Sequence, residues 1–209
     1  MNSKVTHINV GNLAENCWFL ANEDTKEAVV IDPGAEPDRI CAAAEKHGWK
    51  ITAILLTHGH IDHMGACESL RTELGVKVYA LTEEEDLLLD AKKNLSVFIE
   101  RKVVTFEPDE LLRDGQELTL AGMKIQVIHT PGHTPGGCSY YVADAGCVFS
   151  GDTLFAESVG RSDFPGGSTS ALVRAVKEKL FLLPDDTLVC PGHGEETTIG
   201  HEKKNNSFV

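Results

Sequence analysis

Thr57-His58-Gly59-His60-Ile61-Asp62-His63 follows directly on the apolar run Ile54-Leu55-Leu56. A short apolar run of this kind reads as a buried strand, so the polar motif stands on the loop at the strand's end. Three imidazoles and one carboxylate fall between His58 and His63. Imidazole nitrogen and carboxylate oxygen are the donors that zinc and similar borderline divalent ions take. Residues two apart in an extended segment point the same way, so His58 and His60 can reach one ion together. Asp62 and His63 lie one turn on, at the entry to a helix expected from Gly65 to Leu74 and stopped by Gly75, and can point at a second ion.

Further donors follow in Pro131-Gly132-His133, Ser150-Gly151-Asp152 and Pro191-Gly192-His193, each after an expected strand. The donors then divide. His58, His60 and His133 serve one ion, and Asp62, His63 and His193 serve another. Asp152, with two oxygens, is shared. Two ions about 3.5–4 Å apart can hold a hydroxide at neutral pH, because coordination lowers the pKa of water to about 7, and they can polarise a carbonyl oxygen. A serine or cysteine nucleophile is then not required. The expected cofactors are two divalent ions, zinc first, with iron or manganese also compatible. His7, His47, His129 and His201 lack this context and are assigned no ligand role.

The rest of the chain is β-rich, then helical, then β-rich, then helical. Expected strands are Val5–Val10, Cys17–Leu20, Ala28–Ile31, Ile51–Leu56 and Val76–Ala80, with a hairpin turn at Asn22-Glu23-Asp24. Asp38–His47 has helical spacing and ends at Gly48, and Thr82–Leu89 opens with a capping-box pattern, Thr82 with Glu85. Asp90–Glu110 lacks a clean period and is expected as an irregular or helical connection. Further strands are expected at Glu117–Leu120, Met123–His129, Ser139–Ala143, Cys147–Ser150 and Thr187–Cys190. A helix is expected at Ser168–Leu180 with Leu172, Val173, Val176 and Leu180 on one face. This order fits two sheets packed together with helices outside.

The 209 residues are expected to form one domain, 1–209, large enough to bury a core without disulfides. Nineteen basic against 32 acidic residues give a net charge of −13, which disfavours a nucleic-acid partner, since phosphate binders need clustered Lys and Arg. The partner expected is a small-molecule substrate, with no membrane involved. The six cysteines are scattered without a CxxC pair and read as reduced core residues. With no apolar leader visible after Met1, a cytoplasmic setting is expected.

The motif Thr57–His63, His133 within His129-Thr130-Pro131-Gly132-His133-Thr134-Pro135-Gly136, Asp152 within Ser150–Phe155, and His193 within Pro191–Gly194 resemble, in order, the metallo-β-lactamase superfamily. Asp32-Pro33-Gly34 matches a further family element near the bottom of the site. The resemblance implies an α/β fold, an αββα sandwich of two mixed sheets with external helices and the metals at one edge. Val159–Gly167 and Thr197–Glu202 are most similar to the glyoxalase II group, in its short bacterial hydroxyacylglutathione hydrolase form. The implied activity is hydrolysis of S-lactoylglutathione or related acyl thioesters by a metal-bound hydroxide, with Asp62 also shuttling a proton. Longer members of that group carry a C-terminal helical region with basic residues for glutathione, which this chain is expected to lack. Arg161 is the candidate for a substrate carboxylate, against an ion pair with Asp163, and Phe164 and Phe155 are candidates for the pocket wall. The alternative resemblance, around Gly160–Phe164, is to iron-dependent persulfide dioxygenases. It implies one iron on His58, His133 and Asp152.

Overall fold

The computed structural model describes residues 2–209. β1 (Ser3–Val10), β2 (Glu15–Asn22) and β3 (Glu27–Ile31) form an antiparallel meander. The β2–β3 turn closes where Asn22 Oδ1 accepts the N–H groups of Asp24 and Thr25. α1 (Pro37–His47) starts on proline, ends at a left-handed Gly48, and returns the chain to β4 (Lys50–Leu55), parallel to β3. α2 (Ile61–Met64) and α3 (Cys67–Leu74) precede β5 (Lys77–Leu81), parallel to β4. A 3-10 turn at Thr82–Glu84, α4 (Glu85–Leu88) and α5 (Ser96–Ile99) lead to β6 (Glu110–Leu112), which pairs parallel with β5.

The second sheet begins with β7 (Glu117–Leu120), β8 (Met123–His129), β9 (Cys138–Val142) and β10 (Cys147–Gly151), an antiparallel run. A small hairpin, β11 (Leu154–Phe155) with β12 (Ser158–Val159), comes next, followed by α6 (Thr169–Glu178). β13 (Leu188–Pro191) joins β10 in parallel, β14 (Thr197–Thr198) closes that edge, and α7 (Ile199–Asn205) ends the fold. The sheet orders are β1-β2-β3-β4-β5-β6 and β14-β13-β10-β9-β8-β7.

Period-two alternation explains the layers. On the first sheet Trp18, Leu20, Val29, Ile31, Ala53 and Leu55 face the second sheet and meet Tyr140, Phe149 and Cys190. The alternate residues Phe19, Val30 and Ile54 face outward onto Ile40 of α1 and Leu70 of α3. On the second sheet Val148 and Val189 turn outward onto Val176 of α6 and Ile199 of α7. The result is the expected αββα sandwich of two mixed sheets. All six cysteines are unpaired, five of them buried in these layers. Among the described residues no helix is long and apolar enough to cross a membrane.

Several local expectations differ from what forms. The helix expected from Gly65 to Leu74 forms as α3 from Cys67, and a separate short helix, α2, precedes it and carries Asp62 and His63. The Thr82 capping box does not form: Thr82 lies inside the 3-10 turn, whose N-cap is Leu81, and its Oγ1 donates to the Leu112 carbonyl of β6 at 2.8 Å. Ala175, not Val173, is buried on α6, and the strand β6, the β11–β12 hairpin, β14 and α7 were not anticipated.

Candidate metal centre

Loops leaving the ends of β4, β8, β10 and β13 carry the sequence-marked donors. Ties between the sheets bring those loops together. Asn16 N–H donates to Gly192 O at 2.8 Å, Trp18 Nε1–H to Pro191 O at 2.9 Å, and Cys138 N–H to Thr57 O at 2.8 Å. The β10–β13 ladder slips register between Phe149 and Gly151. This bulge turns Asp152 out of the sheet. Gly151, at φ 49, has no room for a side chain there, since a Cβ would stand 2.2 Å from Thr57 Oγ1. Gly192 is required by proximity, its virtual Cβ lying 2.4 Å from Asp152 Oδ1.

The donors form two triads, His58, His60 and His133 in one and Asp62, His63 and His193 in the other, each with its donor atoms within 4.8 Å of one another. Asp152 lies between them, 3.5 Å from both His133 Nε2 and His63 Nε2 and 3.8 Å from His193 Nε2. All seven sequence-marked donors therefore converge. His58 Nε2, His63 Nε2 and Asp152 Oδ1 are buried without a hydrogen-bond partner. Buried polar atoms are normally paired, and orphans of this chemistry in one cluster fit a bound cation.

Backbone and side-chain partners fix which nitrogen each ring presents. Asp32 accepts Thr57 N–H at 2.7 Å and Thr57 Oγ1–H at 2.5 Å, so Thr57 Oγ1 is left to accept His58 Nδ1–H at 3.1 Å. His63 Nδ1–H donates to Asp32 Oδ2 at 3.0 Å, and His133 Nδ1–H to Arg161 O at 2.7 Å. With Nδ1 engaged in this way, Nε2 is the atom that each of the three rings, when neutral, offers to the centre. His60 presents Nδ1, 2.9 Å from His133 Nε2. Burial, then neighbouring imidazoles, pushes His58 well below its ordinary range, and burial with His133 pushes His60 down to about 3. Both rings are thus neutral, the state that ligates. For His63 burial lowers the pKa, but Asp152, Asp62 and Asp32 outweigh it and raise it well above the usual value. Burial raises the Asp62 carboxyl, and His63 and His193 more than offset that and hold it below the usual carboxylate range.

Three residues with structural roles here were not marked in the sequence as site residues. Thr57 relays Asp32 to His58. Glu15 is fully buried 3.9 Å behind His63 Nδ1, and burial raises its carboxyl well above the usual range. Glu84 is buried between the loops carrying His60 and His133 and accepts Gly59 N–H and Gly136 N–H, both at 2.8 Å. Burial pushes the Glu84 carboxyl up to about 7 despite those bonds. A carboxyl raised on folding stabilises the native state below its unfolded pKa and loses that contribution as pH rises through the folded value. Urea unfolding of the native protein should therefore lose stability between about pH 4.5 and 7 relative to Glu84→Gln; identical pH profiles would contradict this assignment.

A cleft of about 870 Å³ opens over the centre, reached by His60, Asp62, His133, Asp152 and His193. Phe164 packs edge-on against His60 at 5.4 Å between centroids, and Phe155 lies 6.5 Å from His193. Arg161 lines the cleft, but its guanidinium is bidentate on Asp163 at 2.7 and 2.8 Å and stacks 4.1 Å over Phe164. His129 is not among the donors; its Nε2 bonds the Pro135 carbonyl and braces the His133 loop.

Residues 10–193 match the family model described as the metallo-beta-lactamase superfamily. The hydroxyacylglutathione hydrolase GloC of Haemophilus influenzae is 36% identical over 93% of this chain and 92% of its own length. Among solved structures, BLEG-1 B3 metallo-beta-lactamase is 38% identical with a TM-score of 0.93, covering 98% of this chain and 99% of that one. TTHA1623 in a di-iron-bound form is 37% identical with a TM-score of 0.86, covering 98% and 100%. ETHE1 from Myxococcus xanthus is 30% identical with a TM-score of 0.78, covering 99% and 84%.

Proposed function

This chain belongs to the metallo-beta-lactamase superfamily, and from that premise we propose that it is a thioester hydrolase using two divalent ions, acting on S-lactoylglutathione or a related acyl thioester. The observation that carries the reading is the pair of donor triads meeting at Asp152, with three buried donor atoms left without a hydrogen bond. His58, His60 and His133 would hold one ion, Asp62, His63 and His193 the other, and Asp152 both. An all-nitrogen-and-oxygen donor set suits zinc first, and iron or manganese also. Likeness to a hydroxyacylglutathione hydrolase supports the thioester class, and likeness to a di-iron protein supports two ions. The unpaired cysteines support a reducing, cytoplasmic setting.

Bound ions would supply Lewis acidity toward the thioester carbonyl and make water a nucleophile at neutral pH. The chain's residues do the rest. Asp32, Thr57 and the Arg161 carbonyl hold the imidazoles in one tautomer and one orientation. Asp62 lines the cleft with Oδ2 turned to His193 and His63, and its other carboxylate oxygen would be the one to take a proton from water and pass it to the departing sulfur. Phe164 stands edge-on against His60 and Phe155 against His193, so an aromatic ring flanks an imidazole of each triad. Protein reconstituted separately with zinc, iron and manganese should hydrolyse members of a thioester panel that includes S-lactoylglutathione. Failure with every thioester would overturn the reading.

Likeness to ETHE1 supports a second reading, a persulfide dioxygenase with one iron on His58, His133 and Asp152. One iron per chain, with oxygen uptake on glutathione persulfide, would establish it in place of the first.

A further inference from the structure

The cleft wall carries information about substrate that the donors do not. Leu13, Phe98 and Ile99 line it, yet remain 49%, 67% and 39% exposed. With Leu95, Phe155 and Phe164 they give the cleft over the centre a largely apolar lining. Large apolar side chains left in solvent around one cleft mark a binding face rather than ordinary surface scatter.

The segment that presents Phe98 and Ile99 is built rather than loose. Asn94 Nδ2 donates to the Val104 carbonyl at 2.8 Å, and Ser96 Oγ accepts Val104 N–H at 3.1 Å. Leu95, a bulky residue lining the same cleft, is held at φ 67, a strained left-handed backbone that these bonds maintain.

Charge adds a second constraint. Arg161 and Lys92 are the cations on the cleft, and the Arg161 fork is already occupied by Asp163. Lys92 has no ion-pair partner among the described residues. It begins a basic stretch, Lys92, Lys93, Arg101 and Lys102 against the single acid Glu100, in a chain of net charge −13. A local positive edge on an acidic protein attracts an anion to that edge.

We propose that the cleft selects an amphipathic thioester, with one aliphatic or aromatic arm lying along Leu13, Phe98 and Ile99 and an anionic group met by Lys92. This rests on the thioester-hydrolase reading. Glutathione, with two carboxylates and an ammonium and no apolar arm, matches this wall poorly.

The test uses the full, metal-loaded chain and two homologous series. One lengthens the acyl group from acetyl to octanoyl on a single neutral thiol, N-acetylcysteamine. The other keeps acetyl and lengthens an alkyl thiol. One series should gain in kcat/KM by about fourfold per methylene until the cleft is filled, and which series gains identifies the arm. Phe98→Ser, at an exposed position whose folding is checked by thermal unfolding, should flatten that slope. Lys92→Glu should raise KM severalfold for octanoyl 3-mercaptopropionate and not for its neutral counterpart. Flat series in both directions, with S-lactoylglutathione hydrolysed best, would overturn this inference and leave the thioesterase reading standing. An unchanged slope in Phe98→Ser, or equal KM changes in Lys92→Glu, would also overturn it. No hydrolysis of any thioester would overturn the underlying reading instead.

Discussion

Asp152→Ala should strip metal from the purified protein and lower turnover by well beyond the 10–100-fold typical of losing a group that merely orients a ligand. The reason is its position. Its two oxygens face His63 on one side and His133 and His193 on the other, so one carboxylate would serve both triads. Removing it leaves each triad one donor short and leaves a cluster of imidazoles with less negative charge nearby. The fold should survive, because Asp152 follows the bulge and carries no ladder bond of β10. Metal analysis with steady-state thioester hydrolysis reads both effects. Full metal content, or native turnover, in this variant would contradict the bridging role.

Asp32→Ala should be the most costly single change to stability near the centre. Asp32 is buried and accepts three hydrogen bonds, from Thr57 N–H, Thr57 Oγ1–H and His63 Nδ1–H. Removing one partner of such a buried charged network costs about 3–5 kcal/mol, because the others are left unpaired. Asp32 also sits at φ 52, which alanine adopts less readily than aspartate or asparagine. Asp32→Asn separates the two contributions, since it keeps the backbone preference and one acceptor. Urea unfolding of metal-free protein should show Asp32→Asn between native and Asp32→Ala. A loss below about 1 kcal/mol in Asp32→Ala would place it in the range of an ordinary surface or single neutral hydrogen-bond change.

The donors were legible in the sequence for a chemical reason. Histidine and aspartate in close spacing, most of them beside a glycine after an apolar run, have few structural uses that require all of them at once. The layers were legible for a similar reason, because β2 to β4 and β8 to β10 carry apolar residues on a strict alternation or on both faces. What escaped is long-range. Glu84 meets Gly59 and Gly136 across 25 and 52 residues, and nothing local to Thr82–Leu89 marks it as more than a helix acid. The pattern at Thr82 does not become a cap because the helical turn starts at Thr82 itself, while its hydroxyl ties to the Leu112 carbonyl on a strand of three residues too short to announce itself. Asp32 stood out only through its resemblance to a family element; its bonds to Thr57 and His63 belong to the folded chain alone. The apolar cleft wall is invisible in one dimension, since Leu13 comes from the β1–β2 turn, Phe98 from α5 and Phe155 from β11.

The central claim is that two triads hold two ions. Metal analysis of protein saturated with zinc and freed of excess, run beside His193→Ala, tests it most directly. His193 belongs to one triad and is the most exposed of its imidazoles, so its removal should weaken one site and spare His58, His60 and His133. The prediction is two ions per chain in the native protein and one in His193→Ala. One ion per chain in both would contradict it.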